Sequence, residues 1–509
     1  MVIARTTMRR QRALPALLLL GAAMRAGCVA LNVPPVHAWP RYLVVFRAKF
    51  GPCRIEELRS ALCAVMGDEV PKWALDGSPA YGDKGRLVET CSDIGPPVFH
   101  SMRFPSADVA RAAARRCACV RAVLEVWAEG ATDAECSQMA ASLSPERIAE
   151  LHAPMADGGG WAVHFHAHGL GKKGGSGLTL QERKARLARL GPLLVDIKGP
   201  VVLAPSAPSR KHTLWLVDDF DPPIHSEGGT FKARGTSYVA LCRLVAEGAA
   251  AEVHTSRLSA REALHITSLP ADLALMMANF ARVRPGDVVL DPFCGTGSTL
   301  IGAALVARIH RAEMGELGTA AAADARTPSA RLLHAIGLDI DECVHALRAN
   351  FAQLGLGADA DATVFQADIA ALRGCQPPLS ELPPVHAIVC DPPYGIMILP
   401  SGELARTGGE AARALGAAAG GEAERAARAQ LACLEHLFAL AHAVLADGGR
   451  LCFLLPAPFA VERIESVLPP SGRLRLDGAA RMAFTAKQYR WLVTMVMGAR
   501  EQGSGDGFL

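Results

Sequence analysis

What the sequence lacks narrows it first. Its 14 cysteines are scattered and never form a CxxC pair; Cys117 and Cys119 are the closest two, so neither a zinc ribbon nor a disulfide framework is signalled. A reducing compartment fits that usage. A formal net charge of +3 is too small for a histone-like polycation, so a nucleic-acid partner has to be met by local clusters rather than by the global field. No acid precedes Glu56. In that acid-free stretch Arg9, Arg10 and Arg12 stand before an apolar run from Ala13 to Met24, the pattern of a signal or transit peptide. The run is short for a membrane span, so no membrane partner is expected. A cytoplasmic protein is expected, with organelle targeting as the alternative.

A chain of 509 residues, half of them hydrophobic, exceeds one ordinary core. Five regions are expected: a leader over 1–41, an N-terminal α/β unit over 42–155, a second unit over 156–250, a larger domain over 262–500 and a tail over 501–509. RYLVVFRAKF reads as a strand and the sequence after it as a helix with apolar spacing at Ile55, Leu58, Leu62 and Val65. The Gly-rich break at Asp157 to Gly160 precedes a second unit opening on WAVHFHAHGL. His164, His166 and His168 alternate there, and a half-exposed polar face is a better reading than a metal site because no Cys or carboxylate partner is near in sequence. The same unit is basic. Lys172, Lys173, Arg183, Lys184 and Arg186 belong to a cluster with few acids, readable as a phosphate-binding surface or as a solvated helix face. In HTLWLVDDF the two acids are expected at a surface turn.

The C-terminal half carries the chemistry. VVLDPFCGTGSTLIGAAL reads as strand, glycine loop and helix, with Gly295 and Gly297 in the turn and Ser298 opening the helix. Such a loop lets a ligand approach backbone amides at a helix N-terminus. It is not a phosphate loop, since no GK[ST] follows, and a nicotinamide enzyme would prefer GxGxxG. Three further apolar runs end in acids: HAIGLDID at Asp339, ATVFQADI at Asp368 and HAIVCDPPYGI at Asp391. An acid after the second strand can accept both ribose hydroxyls, and one after the third can take an adenine amino group. Four acid-ended runs at the carboxyl edge of one parallel sheet point to a nucleoside cofactor.

DPFCGTGS, GLDID, ADI and DPPYG, in this order, resemble the motifs of class I S-adenosylmethionine methyltransferases that modify exocyclic amines in nucleic acids. HITSLPADLALMMANF, GGRLCFLLP and WLVTMVMG extend the likeness to the eukaryotic and archaeal tRNA (guanine-10-N2)-methyltransferase family. That resemblance implies a Rossmann-like domain with a seven-stranded, mostly parallel sheet, preceded by an α+β THUMP-like RNA-binding region, in an enzyme that forms N2-methylguanosine in tRNA. It implies S-adenosyl-L-methionine as cofactor, with Asp291, Phe293, Gly295, Thr296 and Gly297 along its methionine part. Asp339 and Ile340 fall to the ribose side and Asp368 and Ile369 to the adenine. His265 and Ser268 resemble the segment that closes over the cofactor; a helix cap is the alternative for Ser268.

At the catalytic loop, Asp391 and the Pro392 carbonyl would accept the two N–H bonds of an exocyclic amine. Pro392 and Pro393 have no N–H of their own, and Tyr394 would stack on the turned-out base. Arg406 matches a basic position of the family and would touch RNA phosphate, with a solvated arginine as the equal alternative. No metal ligand is expected in this chain, but a small zinc-containing activator subunit, forming a heterodimer, is implied as partner. Three alternatives stay open: an N6-adenine or N4-cytosine methyltransferase, a non-catalytic RNA-binding protein with a methyltransferase-like domain, and a glutamine methyltransferase, for which NPPY would be more usual.

Overall fold

The computed structural model describes residues 39–47, 49–67, 99–158, 160–168, 179–199, 201–202, 212–220, 236–264, 268–316, 332–341, 344–357, 360–369, 382–393, 396–398, 404–406, 422–458, 461–483 and 488–499. Residues 1–38 of the expected leader, His265, Tyr394, Lys172 and Lys173 lie outside them; the expected boundary at 41 is late, since Trp39 is buried in the core of the first sheet and Arg41 opens its first strand. No helix among the described residues is long and apolar enough to cross a membrane.

Two seven-stranded sheets organise the chain. The first joins β1 (Arg41–Phe46), β2 (Phe99–Arg103), β3 (Val120–Gly130), β4 (Trp161–His168), β5 (Val201–Val202), β6 (His212–Phe220) and β7 (Thr236–Glu247) in the order β2-β1-β3-β7-β6-β4-β5. Its link is the antiparallel pairing of β3 with β7, from Ala122↔Glu247 to Gly130↔Val239. The two N-terminal units read from the sequence thus share one sheet, and the boundary near residue 155 does not divide it. Helices α1 (Cys53–Met66) and α2 (Ala107–Arg116) pack with Val44, Phe46 and Met102. Helices α3 (Asp133–Ala141) and α4 (Pro145–His152) pack with Trp127, Val163 and Leu216. Alternate residues, among them Leu43, Val45, Leu124 and Val217, form a cluster on the opposite face, as the two-residue period of strands requires.

The second sheet has β8 (Val288–Asp291), β9 (Leu333–Asp339), β10 (Ala360–Gln366), β11 (Val385–Cys390), β14 (Leu445–Pro458), β15 (Leu474–Ala483) and β16 (Gln488–Met497) in the order β10-β9-β8-β11-β14-β16-β15. Strands β8, β9, β10, β11 and β14 are parallel neighbours; β16 runs antiparallel to both β14 and β15. The expected seven-stranded, mostly parallel sheet is therefore present. Its strands read as continuous apolar runs because helices cover both faces. A separate hairpin, β12 (Ile396–Ile398) with β13 (Leu404–Arg406), follows the DPPY segment.

Helix α6 (Ala271–Phe280) is buried at every position but Asp272. It lies between the two halves, in a core where Met276 and Phe280 share a cluster with Cys53, Ala118 and Cys119 of the N-terminal half and with Ile301 and Leu305 of α7 (Ser298–Glu316). A helix apolar on all sides needs such an enclosed place. Its one buried amide, Asn279, joins the halves chemically. The Asn279 Nδ2 donates to Glu57 Oε1 at 3.0 Å and to the Arg116 carbonyl at 2.7 Å, and its Oδ1 accepts from Arg116 Nε at 3.2 Å. Leucine is nearly isosteric but can make none of these bonds. Asn279→Leu is expected to destabilise the full chain by about 3 kcal/mol, because Glu57 and Arg116 stay buried with fewer partners. Urea unfolding checks this, and a loss below about 1 kcal/mol would show the network to be energetically idle.

Candidate active site

Four acids meet at one sheet edge because four adjacent parallel strands end there. Register pairs Asp291 with Gly337, Gln366 with Asp339 and Ile388 with Leu290. Asp391 then follows β11 directly, and Asp368 stands two residues past β10. The expected strand ends are correct at Asp291 and Asp339 and two residues early at Asp368.

Asp291 lies beneath the loop rather than in its opening. It is 1% exposed; the Phe293 amide donates to Oδ1 at 2.9 Å and the Thr299 hydroxyl donates to Oδ2. Burial pushes its carboxyl up to about 7, against the pull of those two donors, with the charges of Asp339 and Asp391 adding to the rise. Both of its oxygens are thus engaged by residues of the turn and of the helix start that follows it.

Above it the loop is pinned by neighbours. The Gly295 amide donates to Asp339 Oδ2 at 2.7 Å and the Asp341 amide to Oδ1 at 3.0 Å. Each Asp339 oxygen therefore accepts one bond and keeps a lone pair, enough for a pair of vicinal hydroxyls. Gly297 sits at φ +84°, where a Cβ would come within 2.9 Å of Leu347 Cγ, so a side chain is excluded by both conformation and space. A Cβ on Gly295 would meet nothing within 4 Å: the loop is open at that residue. Ile340, next to Asp339, is 64% exposed, an apolar surface beside the acid. Phe293 and Ile369 are partly buried against the core of the sheet. Asp368 is exposed, Asp391 half-buried, Pro392 buried and Pro393 exposed. Ser268 Oγ is 2.9 Å from Thr296 Oγ1; helix α6 starts on Pro270 without a side-chain cap, so Ser268 belongs to the loop rather than capping the helix.

Thr299 and Asn350 are polar groups that sequence reasoning passed over. Asn350 is fully buried on α8 (Val344–Gln353), and an asparagine inside an apolar helix was the available signal, since that residue type disfavours helix interiors. Cys390, immediately before Asp391, is buried and its thiol is pushed well above its ordinary value, mainly by burial, so the loop presents no thiolate.

The basic cluster behaves differently from a uniform phosphate surface. Helix α5 (Leu180–Arg189) is opened by a capping box of Thr179 and Glu182. Arg186 is committed to the fold: Nη1 and Nη2 donate to the two oxygens of Asp218 at 2.5 and 2.6 Å, and Nε donates to Asp133 Oδ1 at 3.0 Å. Asp218, expected at a surface turn, is fully buried. Arg183 lies over the Phe165 ring at 5.3 Å, while Lys184 is exposed. The histidines also differ from expectation. His166 is 6% exposed, so the half-exposed face expected there holds only for His164, which is half-buried; both rings pack on Trp215, ring centres 4.4 and 5.3 Å away, in an aromatic cluster. Burial, with Arg121 and Arg183, lowers His164 to about 4. Arg406 ends β13, opposite Ile396.

Residues 259–407 match the family model UPF0020, described as RMKL-like, methyltransferase domain. The second sheet is a class I methyltransferase fold. The chain is 26% identical over 480 residues to tRNA (guanine(10)-N(2))-methyltransferase TRMT11 of Xenopus laevis, covering 92% of this chain and 86% of that protein. It is 31% identical over 190 residues to a tRNA (guanine(10)-N2)-dimethyltransferase of Methanothermobacter thermautotrophicus, 37% of this chain and 39% of that one. Among solved structures, TrmN from Thermus thermophilus is similar at 16% identity, covering 90% of this chain and 100% of that one, with a TM-score of 0.39. The strand order, not that superposition, carries the fold assignment for the methyltransferase domain.

Two outcomes follow for variants of the site and its basic neighbour. Asp291 folds with its carboxyl near 7 against an ordinary 3.8. The folded state therefore holds a proton that the unfolded state has released. Its stability contribution is full below about pH 4 and is lost as pH rises to about 7. Asp291→Asn removes that loss, so wild type should fall by a few kcal/mol relative to the variant between about pH 4 and 7 and run parallel to it above about pH 8. Chemical unfolding at stepped pH reads this. Arg186→Ala strands Asp218 and should cost about 3 kcal/mol; unchanged stability with weakened RNA binding would instead restore Arg186 to the surface set.

Proposed function

We propose that this chain is a tRNA (guanine-10-N2)-methyltransferase that uses S-adenosylmethionine. The observation that carries the reading is Asp391, half-buried at the end of β11, with two prolines after it and the glycine loop of the neighbouring strand β8 beside it. The cradle fits a nucleoside: the Asp339 lone pairs, the exposed Ile340 and the open face at Gly295 are what a ribose, a flat apolar ring and a close-lying chain need. When bound there, S-adenosylmethionine supplies a methyl group on a positive sulfur.

The chain's own residues have the harder task of making a weak nucleophile attack. The lone pair of a guanine exocyclic amine is delocalised into its ring. In this reading the amine donates its two N–H bonds to Asp391 and to the Pro392 carbonyl, which turns the lone pair out of conjugation. Pro392 and Pro393 contribute no N–H that could compete as donors. Tyr394 stacks on the base once it is turned out of its helix. Holding amine and methyl in line provides the proximity gain, several kcal/mol of barrier. The buried, protonated Cys390 supports an amine target over a ring carbon, whose methylation would call for a thiolate nucleophile.

Guanine over adenine or cytosine rests on the relatives, whose likeness extends through the N-terminal half. That half, with Arg183, Lys184, Lys172 and Lys173 as RNA contacts, is the THUMP-like tRNA-binding region of this reading; Arg406, on the hairpin after the DPPY loop, is a further RNA contact, and a small zinc-containing activator subunit is the partner. The assay incubates the chain, with and without such a subunit, with unmodified tRNA transcripts and methyl-labelled S-adenosylmethionine, then digests to nucleosides. Label is expected in N2-methylguanosine, with Asp391→Ala reducing the rate at least about a hundredfold. Label in adenine or cytosine alone would overturn the substrate assignment.

A further inference from the structure

The segment that leaves the first sheet for the methyltransferase domain is fastened to the cofactor loop at two residues flanking Gly297. Asn350 makes three bonds from one buried side chain. Its Oδ1 accepts from the Ala263 amide at 3.1 Å, and its Nδ2 donates to the Ala263 carbonyl at 2.9 Å and to the Thr296 carbonyl at 3.0 Å. One amide thus grips the connecting segment like a paired strand and holds the loop residue between Gly295 and Gly297. Three residues along the same helix, Gln353 accepts from the Glu262 amide at 2.8 Å and donates to the Ala260 carbonyl at 2.6 Å.

Arg261 makes the second fastening. It is 6% exposed, donates from Nε to the Ser256 carbonyl at 2.9 Å and from Nη1 to Ser298 Oγ at 2.6 Å. Ser298 opens helix α7 directly after Gly297. Leu347, from the helix that carries Asn350, closes the space beside Gly297. A connector whose only duty was to span the domains would need neither a nearly buried arginine of its own nor a fully buried asparagine on the helix facing it, each costly to desolvate. Both have their far ends on the cofactor loop.

We propose that residues 256–263 are a strap that sets the glycine loop, with Asn350 and Arg261 as positioning residues for it. The assignment rests on reading that loop as the S-adenosylmethionine site. It makes the strap and the loop one cooperative unit: loosening either end loosens the other, and by linkage a ligand that orders the loop also orders the strap that leads to the RNA-binding sheet.

Hydrogen exchange on the full chain without ligands tests the unit directly. Asn350→Ala and, separately, Arg261→Gln should each speed amide exchange by about tenfold at both 260–263 and 295–298, leaving β8 and β11 unchanged. Arg261→Lys, which keeps a donor for Ser298, should restore much of the loop protection. Calorimetry with S-adenosylhomocysteine should show Kd raised about tenfold in Asn350→Ala and Arg261→Gln at unchanged stoichiometry, with tRNA affinity held within about twofold. Exchange that speeds only at the substituted end, or cofactor affinity unchanged in both variants, overturns the proposal. Should Asn350→Ala not fold, the Arg261 pair decides alone. Wild type that binds no S-adenosylhomocysteine would sink the cofactor reading, while the exchange data would still decide the strap.

Discussion

The buried chain Glu57–Asn279–Arg116 is the constraint on which the rest of the molecule hangs. Glu57 and Arg116 come from the helices of the first sheet and Asn279 from the helix on which the methyltransferase sheet rests, so the three close the seam between the halves. All are fully buried. Glu57 accepts from the Ala118 and Cys119 amides at 2.8 Å each, and Arg116 Nη2 donates to the Val283 carbonyl at 2.7 Å. Its Nη1 meets His310 Nδ1 on helix α7. Burial first, with Arg116 beside it, holds His310 well below its ordinary value; the ring is neutral and can accept. Burial also lowers Arg116 to about 9 and raises Glu57. Such a network adds little net stability over an apolar seam, but it tolerates few alternative registers. Apolar side chains such as Met276 and Phe280 could slide; the directed bonds fix where α6 lies, and α6 fixes α7 and the loop at its start.

The sheet edge solves a different problem. Parallel strands force their carboxyl ends to one side, and placing four acids there brings like charges together. Each is handled in its own way. Asp291 is taken out of water and carries a proton through much of the range below neutrality. Asp339 meets the positive ends of two backbone N–H dipoles, Gly295 and Asp341, which offset its charge and shape the loop in one step. Asp368 stays in solvent, where water screens it. Asp391 is half-buried, between the buried Cys390 and the buried Pro392, and is the acid that the proposed reading assigns to the reacting amine.

These local features explain which parts were legible in the sequence. A strand buried on both faces is a short apolar run, and its end is marked by the first charge, so β8, β9 and β11 and their acids could be read directly. The glycine turn was legible because Gly297 has to adopt a left-handed conformation in a crowded place. Pairings between distant residues left no such mark. Nothing near Asp218 announces that Arg186 lies across from it, and nothing in WAVHFHAHGL shows that Trp215 covers its histidines. The joining of two N-terminal units into one sheet depends on β3 meeting β7, more than a hundred residues apart in sequence. Asn350 lay in between: its residue type was odd for the middle of a helix, but its three partners come from two other segments.

The chemistry offered at the edge is one of acceptance. In the proposed reading Asp391 and the Pro392 carbonyl serve as acceptors and the prolines bring no donors of their own, while the nearby thiol stays protonated because burial denies it charge. A site of this kind suits a nucleophile that brings its own hydrogens and has to be turned rather than deprotonated. A general base tuned to neutrality would need a partner that poises it; Asp291 has the right range, but it is sealed under the loop with both oxygens engaged. The carboxyl in the range of a base is sealed away, and in the proposed reading the one at the end of β11 acts as an acceptor. In the proposed reaction, geometry carries the step that proton transfer carries in other enzymes, which is why the loop's anchorage matters as much as the residues lining it.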